Sequence, residues 1–167
     1  MKKNFGPETW LYPMPVFIIG TYNEDGSPNA MNAAWGGISE ETEITICVDS
    51  GHKTAQNLLE RKAFTVSMAT AKYLTACDYV GIVSGNKVPD KFEKAGFHAT
   101  KSEFVDAPLI DELPMAMECE LVSYDPDGYI DLDLNNWAGG DYVYLGYKRV
   151  SKAKDALTDL VIFQGKG

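Results

Sequence analysis

Short apolar runs separated by turn residues dominate this chain. Val16-Phe17-Ile18-Ile19-Gly20-Thr21-Tyr22 is rich in β-branched and apolar residues and predicts a buried strand. Tyr12-Pro13-Met14-Pro15 ahead of it is a stiff extended entry, since each proline fixes its own φ and biases its predecessor. Asn23 to Ser27 is a turn with Asp25-Gly26 at its heart, a hairpin signal. Asn29 to Gly37 returns from that turn. Ile44 to Val48 alternates and predicts a third strand, and Phe64 to Met68 a fourth. Met115 to Tyr124 predicts another, with Met115, Met117, Cys119 and Leu121 on one face and Ala116, Glu118, Glu120 and Val122 on the other. Tyr142 to Tyr147 reads as the last strand.

Helical spacing is rarer. His52 to Lys62 predicts a helix, with apolar positions at Ala55, Leu58, Leu59 and Ala63. Leu74 to Val80 is a short helical stretch, followed by a glycine-, serine- and lysine-rich loop from Gly81 to Pro89. Asp90 to Ala95 is another short helix, closed by Gly96. Ser151 to Leu160 predicts a terminal helix. Many short strands with few helices give a mainly β fold, a barrel or sandwich with helices across its ends, and not an alternating βαβ fold. At 167 residues the chain, 1–167, is expected to be a single domain.

Charge narrows the partners. Fifteen Lys and Arg against 24 Asp and Glu leave a formal net charge of −9. Nucleic acid and anionic membranes need a basic face, so neither is expected as a partner. Any anion must be held by a local cluster of donors. Three cysteines without a C-x-x-C pair, and only two histidines, fit neither a disulfide scaffold nor a zinc site. No metal is expected. Met1-Lys2-Lys3 is followed by Asn4-Phe5-Gly6-Pro7-Glu8 instead of an apolar signal core, and no apolar run approaches about 18 residues. The expectation is a cytoplasmic protein.

Three constellations could carry chemistry. Asn29-x-Met31-Asn32-Ala33-Ala34-Trp35-Gly36-Gly37 sets small residues beside an indole, which lets backbone amides approach a flat ligand. A tightly packed strand with a bend at the glycines gives the same pattern. Ser50-Gly51-His52-Lys53-Thr54-x-x-Asn57 follows a strand and opens a helix, where free N–H groups, a hydroxyl and a cation make an anion site. A plain N-cap by Ser50 or Thr54 with a solvated lysine fits equally. Cys77-Asp78-Tyr79-x-Gly81-x-x-Ser84-Gly85-Asn86-Lys87-x-x-Asp90-Lys91-Phe92 packs a thiol, a carboxylate and several donors into one loop. Against this, Cys77 also reads as a small buried hydrophobe and the lysines as solvated. No Ser-His-Asp order, nucleophile elbow, metal-ligand spacing or nucleotide fingerprint emerges.

Taken in order, these motifs resemble the flavin reductase-like, FMN-binding split-barrel family, and its flavoredoxin branch in particular. The stretches are Met14-Pro15-Val16 with Gly20-Thr21-Tyr22, Asn29 to Ile38, Gly51 to Thr54, and Cys77 to Lys91. Phe97 to Ile110 and Glu118 to Leu121 continue the likeness, which covers roughly residues 1–125. It implies a Greek-key split β-barrel that forms a homodimer with FMN near the subunit interface. It implies an FMN-dependent oxidoreductase taking electrons from NAD(P)H or a redox partner, or else a non-enzymatic FMN electron carrier or flavin-binding module. Carried over, Met31, Asn32, Ala33, Ala34 and Trp35 would lie along the isoalloxazine. Ser50, His52, Lys53, Thr54 and Asn57 would hold the phosphate and ribityl chain. Cys77, Asp78, Ser84, Gly85, Lys87 and Phe92 would close the site, from the same or the partner subunit.

The C-terminal part departs from that family. Ser123-Tyr124-Asp125-Pro126 runs straight into Asp127-Gly128-Tyr129-Ile130-Asp131-Leu132, where the family has a further strand and loop. Tyr142 to Ala153 again resembles the family's final strand, whereas Leu157 to Gly167 does not.

Overall fold

The computed structural model describes Asn4, residues 13–125 and the strand backbone of residues 141–152. The elements run β1 (Phe17–Tyr22), β2 (Pro28–Ala33), β3 (Gly36–Glu40), β4 (Glu43–Val48), α1 (Lys53–Arg61) and β5 (Ala63–Met68). After a single 3-10 turn at Ala71–Tyr73 come α2 (Leu74–Ile82), α3 (Lys91–Lys94), β6 (Ala99–Lys101), β7 (Pro108–Ile110), β8 (Met115–Asp125) and β9 (Asp141–Lys152). Among the described residues no helix is long and apolar enough to cross a membrane.

Seven strands form one antiparallel sheet in the order β2-β1-β5-β8-β9-β4-β3, and β6 pairs with β7 in a small second sheet. The chain order forces the large sheet to roll. β2 and β3 lie at opposite edges of it, yet only Ala34 and Trp35 join them. Six inter-strand spacings of about 4.8 Å would hold the edges of a flat sheet roughly 29 Å apart. Three Cα steps of about 3.8 Å reach at most about 11 Å. The edges must therefore come together. Gly36 shows where they meet: a Cβ there would lie 3.0 Å from the Phe17 ring on β1 and 2.5 Å from Thr45 O. The two edges abut without pairing, so the barrel is split and not closed.

β1 is apolar on consecutive positions because both of its faces are covered. Phe17 and Ile19 point into the barrel with Ala33, Ile44, Ile46, Val48, Phe64, Val66 and Cys119, and α1 lays Ala55 and Leu58 onto this core. Ile18 points the other way. There it packs with Ala30 beneath Cys77 and Val80 of α2, Phe92 of α3, and Phe97, Ile110 and Leu113. α2, α3 and the β6–β7 region thus cover the outer face of β1 and β2.

Most expected elements form, and the differences have causes. The expected return strand from Asn29 to Gly37 breaks at Ala34 and Trp35, because the chain must leave one sheet edge and join the other. β6 and β7 have three residues each, too few for any periodicity to show. Ser151 and Lys152, expected to open a terminal helix, instead end β9. The long β8 offers them backbone partners at Ala116 and Met115. The rest of that expected helix lies outside the described residues.

Candidate functional site

The candidate site is built where three segments meet: the Asn23–Ser27 turn, the start of α1, and the loop after α2. The turn is held by its own side chains. Asn23 N–H donates to Ser27 O at 2.8 Å, and the Ser27 amide and hydroxyl donate to Asp25 Oδ1 at 2.9 and 2.6 Å. These Ser27 bonds hold the Asp25 carboxyl below the usual carboxylate range, with the charge of Lys53 adding in the same direction. Asp25 is therefore ionised. Arg61, at the other end of α1, donates to Asn23 O at 2.6 Å and to Asp106 Oδ2 at 3.1 Å, fixing the turn to the helix.

The start of α1 carries no side-chain cap. His52 occupies the N-cap position in extended conformation, and the first turn has no acidic residue. The positive end of the helix therefore meets no side-chain acceptor of its own. Asp49 shapes the approach by accepting from Gly51 N–H at 2.7 Å through Oδ1. Ser50 and His52 are exposed, Lys53 is half-buried, and Thr54 and Asn57 are buried.

Beneath the helix start lies a buried polar network. Asn29 Nδ2 donates to Thr54 Oγ1 at 2.8 Å and to Thr21 Oγ1 at 3.2 Å. Asn57 Nδ2 donates to Asn23 Oδ1 at 2.9 Å and to Thr21 Oγ1 at 3.0 Å. Asn29 Oδ1 and Asn57 Oδ1 are buried and accept no hydrogen bond. Two buried acceptors without donors carry a desolvation cost of about 1–3 kcal/mol each.

The loop after α2 completes the site. Asn86 Nδ2 donates to Gly51 O at 2.8 Å, bringing this loop onto the segment before α1. Gly85 lies so close that a Cβ would sit 2.9 Å from Asn29 Oδ1 and 3.1 Å from Lys53 Cβ, so only glycine permits this approach. Asn23, Glu24, Asp25, Lys53, Gly85 and Pro89 line an open cavity of about 510 Å³.

The remaining candidate residues divide. Met31 and Ala33 belong to the barrel interior, whereas Asn32 faces α2 and donates to Cys77 O at 3.4 Å. Neighbours on a strand point to opposite faces, so these side chains cannot all meet one ligand face. Ala34 is half-buried and Trp35 is 41% exposed, at the split between the sheet edges. Cys77 and Phe92 are each 1% exposed within the outer core, with Phe92 stacked at a tilt 5.7 Å from Phe97. Burial pushes the Cys77 thiol up, so it stays protonated at neutral pH. Asp78, Ser84 and Lys87 are exposed. Sequence reasoning did not select Asn23, Glu24, Asp25 or Arg61 for the site, and it took Asn29 only as the first residue of the Asn29–Gly37 constellation.

The residues present fit a flavin phosphate. An uncapped helix start with an adjacent ammonium group suits an anion. The Gly85 approach leaves room where a side chain would intrude, and the buried Asn29 and Asn57 network supports the helix start from beneath. Glu24 and Asp25 oppose a phosphate, which makes Lys53 the counterweight in this wall.

Fold and site together define a split-barrel protein with an open cavity beside a helix start. Residues 10–135 match the flavin reductase like domain, and the chain belongs to that family. Its structure is similar to flavoredoxin of Desulfovibrio vulgaris (Miyazaki F), with a TM-score of 0.80 and 33% identity over 92% of this chain and 78% of that one. Flavoredoxin from Methanosarcina acetivorans matches with a TM-score of 0.75 at 22% identity, covering 92% and 76% of the two chains. An FMN-binding protein from Thermus thermophilus shares the fold, with a TM-score of 0.71 at 18% identity over 93% and 81%. Uncharacterised proteins of Aquifex aeolicus and Aeropyrum pernix are 26% and 28% identical over 70% and 76% of this chain. The chain spans 62% and 49% of those relatives' lengths. Family membership supports a flavin cofactor and a flavin-related redox function.

Proposed function

We propose that this protein binds FMN in the cavity beside Lys53 and acts as an FMN-dependent oxidoreductase of the flavin reductase or flavoredoxin type. Electrons would come from NAD(P)H or from a redox protein. The observation that carries this reading is the uncapped start of α1, with Lys53 and the Gly85 approach on one cavity. When bound, FMN supplies the reversible uptake of electrons; the protein supplies binding, orientation and electrostatics. Lys53 and the first-turn amides of α1 would hold the phosphate, and Thr54 and Asn57 stabilise the helix start through the buried network. Ser50 and His52 flank the same anion position. Met31 to Trp35 would border the ring along the edge strand β2, and the Cys77–Phe92 segment would close the site as packed scaffold with Ser84, Gly85 and Lys87 at its surface. A homodimer completes the proposal, since symmetric pairing is the commonest oligomer.

The likeness to a protein named flavoredoxin favours a second reading, an FMN electron carrier without turnover of its own. The visible spectrum of the purified protein, heat release of its cofactor and anaerobic mixing with NADH test these readings. Bound FMN that NADH bleaches rapidly is expected of the reductase. Bound FMN that takes up electrons but sustains no steady turnover with NAD(P)H or with a reduced redox protein identifies the carrier. A colourless protein that takes up no FMN, or a released cofactor that runs as FAD, overturns the proposal.

A further inference from the structure

One wall of the cavity is fastened from below by a buried charge. Lys91, the first residue of α3, is 3% exposed. Its Nζ donates to Val80 O at 2.8 Å and to Val83 O at 3.0 Å. Both acceptors belong to the C-terminal end of α2, where unpaired carbonyls and the negative end of the helix dipole collect. Asp90, the adjacent carboxylate, is engaged elsewhere, with Lys94 at 2.9 Å.

Between Val83 and Lys91 the chain makes one excursion. Lys87 and Val88 N–H groups both donate to Ser84 O, at 3.1 and 3.0 Å, and Lys91 N–H donates to Val88 O at 3.2 Å. At its tip, Asn86 reaches Gly51 O and Gly85 packs on Asn29 and Lys53. The Lys91 ammonium thus ties the two ends of the excursion together, and the tip forms the cavity wall.

We propose that Lys91 is a positioning residue for the flavin site: by bridging Val80 and Val83 it closes the base of the 83–91 loop and holds Gly85 and Asn86 against the start of α1. This rests on the flavin reading of the cavity. An apolar side chain of similar length would leave Val80 O and Val83 O without a donor and the loop base open. Burial lowers the Lys91 pKa to about 8. A neutral amine still carries two N–H donors, so both bonds outlast deprotonation, and the side chain itself is the lever to test.

The test compares Lys91→Met, Lys91→Gln and a core control, Val66→Ala, in the full chain. FMN affinity is read by fluorescence titration, loop closure by hydrogen exchange at the Lys87 and Val88 amides, and global stability by urea unfolding. Apparent affinity falls with the fraction of closed loop, so a loop closed a tenth of the time binds about tenfold weaker. Lys91→Met is expected to lose about tenfold or more and to speed exchange at Lys87 and Val88. Lys91→Gln, with two donors on a shorter arm, should fall between it and wild type. Val66→Ala should lower the urea midpoint while keeping FMN affinity within about twofold, because a change away from the loop leaves its closure alone. Wild-type affinity and wild-type exchange in Lys91→Met overturn the proposal, as does an equal affinity loss in Val66→Ala. Should Lys91→Met fail to fold, Lys91→Gln decides on the same two readouts. A wild type that binds no FMN sinks the flavin reading instead, and exchange at Lys87 and Val88 then decides alone whether Lys91 holds the loop.

Discussion

Replacing Lys53 with alanine probes the cavity most directly. Of the six residues lining it, Lys53 is the cation, and Glu24 and Asp25 are carboxylates. Losing one charge-assisted hydrogen bond to a phosphate costs roughly 1.5–3 kcal/mol. At about 1.4 kcal/mol per tenfold, FMN should bind about ten- to hundredfold more weakly. The structure places the expected loss toward the upper end, because Lys53→Ala also removes the charge that offsets ionised Asp25. Salt should shrink the difference, since the cavity is open and its charges are screened. Riboflavin has no phosphate, so its affinity should hardly change. Lys53 is half-buried at a helix start, and its removal should shift stability by no more than about 0.5 kcal/mol. Fluorescence titrations of FMN and riboflavin into both proteins, at low and high salt, check each expectation. Equal FMN affinities would refute the assignment, and an equal loss for both flavins would move Lys53 away from the phosphate.

Three further outcomes follow from particular contacts. Lys91 has a folded pKa of about 8 against an ordinary 10.5, so the unfolded chain holds the extra proton between these values and stability must rise with pH across that window. At roughly 1.4 kcal/mol per pH unit the rise approaches about 3 kcal/mol; Lys91→Met should lack it, and urea midpoints from pH 7.5 to 10.5 showing identical slopes would refute the buried-charge account. Gly85→Ala places a methyl group 2.9 Å from Asn29 Oδ1, an overpacking that typically costs about 1–3 kcal/mol. Weaker FMN binding together with a lower melting temperature is expected, and an unchanged affinity would show that the loop does not shape the cavity. His98 Nδ1 lies 2.6 Å from Glu112 Oε1, and this hydrogen bond raises the imidazole pKa. Its stabilisation is fully present below the ordinary 6.5 and fades as pH rises through the folded value; NMR titration of His98 in wild type and Glu112→Gln should show the pKa fall in the variant.

Periodicity made β4, β8 and α1 legible in the sequence, because alternation and helical spacing report which face of a local element is buried, and β1 and β5 were legible as short runs rich in β-branched and apolar residues. The helix start at His52 and Lys53 was legible for the same reason, since a strand must end and a helix begin within a few residues. Whether Thr54 or Ser50 capped that helix was not. The structure uses neither, and Thr54 turns inward to accept from Asn29, a residue 25 positions away. Cys77, Gly85 and Phe92 sit in one sequence motif, yet two pack into the outer core and one approaches the cavity. Their spacing is local, but the surfaces they meet belong to β1, β2 and α1.

Amino-acid order by itself determined the mainly β character, the hairpin at Asp25-Gly26, the acidic surface and the kinship with flavin reductase-like proteins. Each of these depends on neighbours in the chain or on composition. Tertiary structure alone decided that Ala34 and Trp35 bridge two sheet edges, and that Asn23 to Asp25, Lys53 and Gly85 share one cavity. It also decided that Lys91 is buried against two carbonyls. Those outcomes depend on how a seven-stranded sheet rolls and which loops that rolling brings together. That is set by the summed packing of both cores, and no window of the sequence contains it.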